Sequence, residues 1–336
     1  MKKKVVPFLK VILFLALGVL LLILAFRGND FSKVWVSLRN ANYYWIALSL
    51  VFAVMAHWVR ALRWNILIEP LGFKPKTRNT FFSVMGGYLA NLAIPRLGEV
   101  TRCGALSQAE SISFEKLLGT VVAERIIDLL TLLLIVIITA CLELSVFGSF
   151  LSEYFINPLI NKTDLLIHSS WLIPGLIIGL GLIIGLFYLL RKFNTHKGFI
   201  GRGVDFIKGL LNGFKSVLYL KKKGAFVFQT FLIWGLYFAN TYLCFFSLEA
   251  TSHLGPGTAL FVLVVGSFGM VAPVQGGIGV YHFFVSQGLL LFGIAKSDGL
   301  AYATITHTSQ LLLILVLGLI SFVFLSFQKT KPDEVS

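Results

Sequence analysis

The sequence predicts an all-α polytopic membrane protein with about six full transmembrane helices and two shorter re-entrant helical hairpins of opposite orientation, arranged as an inverted repeat. Three observations carry this. Of 336 residues, 57% are hydrophobic and only 13% charged, with a mean hydropathy of +0.85, whereas a soluble chain carries about a quarter charged residues. Six apolar runs approach the roughly 20 residues that cross a hydrocarbon core as a helix. Two further runs are shorter, and each ends at a proline followed by glycines.

In chain order, Met1-Lys2-Lys3-Lys4 precedes the apolar run 9–26. No small-x-small cleavage site lies before Arg27, so the run is an uncleaved first span. The second span is 43–66. The short run 80–94 stops at Pro95, a half-crossing, and 98–116 returns from it. The span 117–141 completes a first half-repeat, 1–142. A second half-repeat, 171–327, holds the spans 171–190, 225–248 and 301–327, with the short run 258–272 ending at Pro273. The whole of 1–336 is one integral membrane domain.

Loop charge sets the orientation, because cytoplasmic loops carry the excess of Lys and Arg. Lys74, Lys76 and Arg78 fall on one side with the connector 191–224, whose nine cations face one acid, Asp205. Segment 143–170, with Glu143, Glu153 and Asp164 against Lys162, falls on the other. Both termini are then cytoplasmic, in the inner cell membrane. The connector also carries Phe193, Phe199, Phe206 and Phe214, compatible with an amphipathic helix on the anionic inner leaflet or with a solvated loop. The net charge of +14 is spread between apolar runs instead of along one basic face, so nucleic acid is not an expected partner. Cys103, Cys141 and Cys244 lie far apart, form no CxxC, and read as apolar filler.

Charges within apolar segments are the candidate functional groups, since each must pair or line a polar cavity. Arg60 and Arg63 sit near the end of the second span beside Trp58 and Trp64 and are expected to snorkel as interfacial anchors. Arg96, Glu99 and Arg102 follow the break at Pro95 and Gly98 at spacings of three, on one face if the segment is helical. Two arginines at a helix N-terminus suit a phosphate, with Glu99 limiting the excess charge; a structural salt bridge is the alternative. Glu124 and Asp128 share a face of the next span with Arg125 between them. They either neutralise Arg96 and Arg102 or bind a proton or coupling cation.

The second break, Pro273 with Gly276, Gly277 and Gly279, has a neutral polar lining: Gln275, Tyr281, His282, His307 and Gln310. The two histidines are helix contacts or proton-relay groups. Irregular backbone survives in a bilayer only where protein or water satisfies it, so the two breaks should face one another around a charged hollow. No HExxH, GxSxG or Walker A appears, and no catalytic residue, metal site or cofactor is expected.

These residues resemble the lysylphosphatidylglycerol synthase transmembrane-region family, the flippase-like domain. The carriers are Ala61-Leu62-Arg63-Trp64, the P-x-x-G-E-x-x-R run from Pro95 to Arg102, the E-R-x-x-D run from Glu124 to Asp128, and Pro273 to Gly279. Many members place an acid two residues after the last glycine, where this chain has Tyr281. In fused members the resemblance implies a membrane region that moves an aminoacylated phospholipid between leaflets beside a soluble synthase domain. Only Gln328 to Ser336 follow Phe327 here, so a stand-alone translocating region is expected, without lysyl transfer. Its partners would be membrane lipids, either anionic or zwitterionic phospholipid or a polyprenyl phosphate. The alternatives are a membrane glycosyltransferase acting on a lipid-linked substrate, and a non-transporting partner of a separate lipid synthase.

Overall fold

The structure is a computed structural model that describes residues 31–157, 215–272 and 274–327. The expected spans 9–26 and 171–190, Pro273 and the connector up to residue 214 lie outside the described residues. Every regular element among those described is helical: α1 (Phe31–Arg39), α2 (Tyr43–Ile68), α3 (Thr77–Ala93), α4 (Gly98–Glu110), α5 (Phe114–Leu142), α6 (Leu144–Leu151), α7 (Lys223–Phe245), α8 (Pro256–Val271), α9 (Val280–Leu290) and α10 (Lys296–Ser326).

Three helical stretches, Tyr43–Leu71, Phe114–Leu142 and Lys296–Ser326, are long and apolar enough to cross a membrane. On α5, Leu130, Leu133, Leu134 and Ile137 are exposed at helical spacing, as are Leu312, Leu315, Val316 and Leu319 on α10. Apolar stripes of this extent suit lipid and not water. The 17 residues of α3 and 16 of α8 reach only about 26 and 24 Å, short of a hydrocarbon core of about 30 Å.

Antiparallel packing of α2 on α7 forms the centre. The Asn42 N–H donates to the Ser247 carbonyl at one end (2.8 Å), Asn240 reaches the Ser49 carbonyl (2.7 Å), and Lys222 pairs with Glu69 at the other end (3.1 Å). The remaining contacts come in matched sets. Helix α3 packs on α4 as α8 does on α9, α4 on α5 as α9 on α10, α3 on α10 as α8 on α5, and α2 on α3 as α7 on α8. Two apolar cores accompany this division. One gathers Trp64, Met85, Leu106 and Leu117, mainly from α2–α5, and the other Phe150, Phe245, Phe261 and Tyr302, mainly from α6–α10.

Both short helices end in breaks that side chains satisfy. After α3 the chain extends at Ile94, and Arg96 takes a left-handed φ of +64°. The Gly98 N–H then donates to the Asn91 side-chain oxygen (2.6 Å). Helix α4 can return along α3 only because Gly87 and Gly98 meet without side chains; a Cβ on Gly98 would collide with the Gly87 carbonyl and with Asn91. After α8, Gly276, Gly277 and Gly279 have φ of +57°, +74° and +83°, a run of left-handed residues open to glycine at little cost. Gly269 lets α9 approach, since a Cβ there would lie 2.8 Å from the Tyr281 Cα.

Two expectations need correction here. The segment 98–116 is not one helix: α4 ends at Glu110, and Ser111 at φ +51° turns the chain into α5. Arg96 does not share a helical face with Glu99 and Arg102, because it lies in the turn before α4 begins. Replacement Gly98→Ala is expected to cost about 1–3 kcal/mol through overpacking, read as a lower thermal unfolding midpoint in detergent. Gly104→Ala, whose added Cβ meets open space, should not destabilise.

Candidate functional site

Helix α2 carries His57, Arg60, Arg63 and Trp64, a polar stripe at helical spacing on an otherwise apolar helix. All four are buried, with Arg63 and Trp64 fully so. The reading of Arg60 and Arg63 as interfacial anchors is therefore overturned. Both point inward, because α5 sets Glu124 and Asp128 opposite them. Arg60 Nη1 lies 2.5 Å from Glu124 Oε1 and 3.0 Å from Asp128 Oδ2. Arg63 Nη2 lies 2.7 Å from Asp128 Oδ1 and 3.4 Å from Glu124 Oε1. Helix α7 completes the shell: Arg60 donates to the Tyr237 hydroxyl (3.2 Å) and Arg63 to Thr230 Oγ1 (3.2 Å).

Arg102 enters from α4, with Nη1 3.1 Å from Glu124 Oε2. Its guanidinium lies 4.7 Å from the Trp64 ring centre, a cation–π contact. The indole N–H of Trp64 in turn donates to Thr120 Oγ1 (2.9 Å). Arg125 closes the ring, with Nη2 3.2 Å from Glu124 Oε1. Four arginines thus surround two carboxylates, a net excess of two positive charges (four minus two), with every member but Arg125 buried.

Of the candidates read from sequence, the structure gathers Arg102, Glu124, Arg125 and Asp128. Neutralisation of Arg102 by Glu124 is found; that of Arg96 is not. Neither Arg96, which is exposed, nor the partly exposed Glu99 joins the ion-pair network among the described residues. Sequence reasoning missed Arg60 and Arg63 as members, together with their α7 partners Tyr237 and Thr230. The signal for the two arginines was present in the spacing His57, Arg60, Trp64. No comparable pattern marks the tyrosine and threonine.

The second break is braced by rings instead of charges. His307 Nε2 lies 2.8 Å from the Gly276 carbonyl, which only accepts, so that nitrogen carries the hydrogen. His282 Nδ1 accepts from the Gly279 N–H (3.4 Å). Tyr281 stacks on His307 with ring centres 4.8 Å apart, and its hydroxyl lies 3.5 Å from Thr306 Oγ1. Gln275 is buried in the same turn and Gln310 partly so. This cluster holds irregular backbone in place.

The two breaks do approach one another: α3 contacts the 275–277 turn, and a Cβ on Gly276 would meet Leu92 and Leu311 at 3.1 Å. The hollow between them is not charged, however. A cavity of about 290 Å³ there is lined by Leu92, Ile278, Leu311 and Leu315, with Gln275 and Thr308 its polar members. The charges lie instead among α2, α4, α5 and α7, because Arg102 turns back along α4 toward Glu124. A separate groove of about 400 Å³ opens at the Lys222–Glu69 end of the α2–α7 seam. Lys74, Lys222, Asn65, Thr77 and Gln229 line it, and Gln229 is the sequence neighbour of Thr230, the partner of Arg63.

Glu124 meets all four guanidinium groups, so Glu124→Gln leaves buried charge uncompensated and should cost about 3–5 kcal/mol. Arg125 has 41% of its side chain exposed, and Arg125→Gln should cost no more than about 1 kcal/mol. Thermal unfolding of the two variants in the same detergent checks the order.

A profile of the family described as the lysylphosphatidylglycerol synthase TM region matches residues 11–318. A UPF0104 membrane protein of Pyrococcus horikoshii is 24% identical over 307 residues, covering 86% of this chain and 89% of its own. One of Methanothermobacter thermautotrophicus is 23% identical over 303 residues, covering 84% and 86%. Another, of Methanocaldococcus jannaschii, is 29% identical over 121 residues, 35% of each chain. No solved structure matches. Three of the four motifs that carry the resemblance, those ending in Trp64, Arg102 and Asp128, converge on the arginine–carboxylate cluster. With the profile spanning nearly the whole chain, the protein belongs to the lysylphosphatidylglycerol synthase transmembrane-region family of membrane proteins.

Proposed function

We propose that the protein is a flippase-like lipid transporter, moving a phospholipid or polyprenyl-linked lipid between leaflets with its acyl chains left in the bilayer. The observation that carries this reading is the buried cluster itself: four guanidinium groups against two carboxylates. Guanidinium forks match phosphate oxygens, and a low-dielectric surround strengthens each contact. A purely structural cluster would balance its charges, because excess buried charge is costly. Arg60, Arg63, Arg102 and Arg125 hold the phosphate in this scheme, while Glu124 and Asp128 keep the arginines in register.

The matched contact sets and the antiparallel α2–α7 pair support an inverted repeat, in which α2–α5 and α7–α10 correspond. Such repeats rock against one another around a central site in secondary transporters. The groove with Lys74 and Lys222 lies at the basic end, which the loop-charge rule assigns to the cytoplasm. The apolar crevice between the breaks lies on the same face of α3, since Leu92 follows Tyr88, whose ring packs on His57.

Proteoliposomes with a fluorescent phospholipid in both leaflets test the reading. Arg102→Gln should slow protein-dependent leaflet exchange at least about tenfold, the scale of a lost charge-assisted contact. Arg96→Gln should leave it near the parent rate. Unchanged exchange in Arg102→Gln would sink the assignment.

A further inference from the structure

Every charge embedded in the described apolar helices can be counted, and the count speaks to the ligand. The inner ring holds Arg60, Arg63, Arg102 and Arg125 against Glu124 and Asp128, an excess of two. Arg96 and Glu99 on the flanking turn and helix cancel one another, so the excess stays at two when they are included. Tyr88, Tyr237, Thr230 and Trp64, the other groups around the ring, are neutral polar or aromatic side chains. His57, beside Tyr88, could only add to the surplus.

The donors agree with the charge. Each of the four guanidinium groups keeps one buried nitrogen without a hydrogen-bond partner among the described residues: Arg60 Nε, Arg63 Nε, Arg102 Nη2 and Arg125 Nε. Arg102, whose spare donor is a terminal nitrogen, is only 4% exposed. Unmet donors at this depth are expensive and are normally satisfied.

We propose that the headgroup bound by this cluster carries about two negative charges, a phosphate monoester or a diphosphate diester, and is preferred over a singly charged phosphodiester. This rests on the headgroup reading of the preceding subsection. A phosphate monoester carries about −1.5 to −2 at neutral pH and presents three acceptor oxygens. It neutralises the ring and offers acceptors for its spare donors. A phosphodiester leaves one positive charge over and has fewer unsubstituted oxygens. Glu124 and Asp128 need not be displaced, since the ligand answers the surplus and not the pairs already made.

Binding to the full-length protein in detergent tests this, with phosphatidic acid and phosphatidylglycerol of identical acyl chains and with inorganic phosphate as probes. Phosphatidic acid should bind at least about tenfold more tightly than phosphatidylglycerol. Arg125→Gln, which lowers the excess to one at the most exposed member of the ring, should shrink that ratio several-fold. Arg125→Lys, which restores the charge, should recover it. Equal affinity for the two lipids, lost together in Arg102→Gln, would overturn the dianion inference while leaving the headgroup site intact. Binding of neither lipid, or binding of both undiminished in Arg102→Gln, would overturn both. Displacement of phosphatidic acid by inorganic phosphate at comparable concentration would support the dianion site and assign it to a soluble ligand; failure to compete would support it with a lipid as the source.

Discussion

The packing of α2, α4, α5 and α7 depends on one requirement: four guanidinium groups and two carboxylates must meet in a cluster whose members are buried except for Arg125. Arg60 and Arg63 leave the lipid-facing side of α2 only because Glu124 and Asp128 stand opposite on α5. Tyr237 and Thr230 of α7 each accept one further guanidinium hydrogen, from Arg60 and Arg63. Arg102 is drawn in from α4 by Glu124 and held by the Trp64 ring. Attraction between ions is strong in a low dielectric, but so is the penalty for bringing them there, which makes such a network an indifferent source of stability. A balanced set would serve structure alone. The surplus of arginine is what the proposed headgroup site rests on.

Bringing Arg102 to that place requires the chain to reverse between α3 and α4. The reversal at Ile94–Leu97 is held by Asn91, whose side chain takes the Gly98 N–H, and by the absence of side chains at Gly87 and Gly98. The second reversal uses His307 on the Gly276 carbonyl and His282 on the Gly279 N–H. Each device answers the same demand, that backbone polar groups withdrawn from water find a protein partner. The two breaks nevertheless enclose an apolar crevice. A polar break anchored by its own side chains need not create a polar cavity beside it.

Much of this is legible in the sequence. The short runs 80–94 and 258–272 correspond to α3 and α8, the spans 43–66 and 117–141 fall within α2 and α5, and 301–327 overruns α10 by one residue. Arg102, Glu124, Arg125 and Asp128 were legible as candidates because charge in an apolar segment demands a partner. Arg96 was misplaced with them, since a spacing of three implies a shared face only within a helix, and Arg96 precedes one. Arg60 and Arg63 were misread for a related reason: proximity to a helix end suggests snorkelling, and only a partner on another helix says otherwise.

Composition and apolar run lengths by themselves determined that the chain is a helical membrane protein, and its motifs determined the family. Proline and glycine positions determined where helices stop, because those residues change the backbone's own options. Which charges meet was decided by the tertiary structure alone. Helical periodicity assigns residues to a face but carries no information on which face lies opposite, and an ion pair across 61 to 68 positions, as between α2 and α5, exists only once the helices have packed.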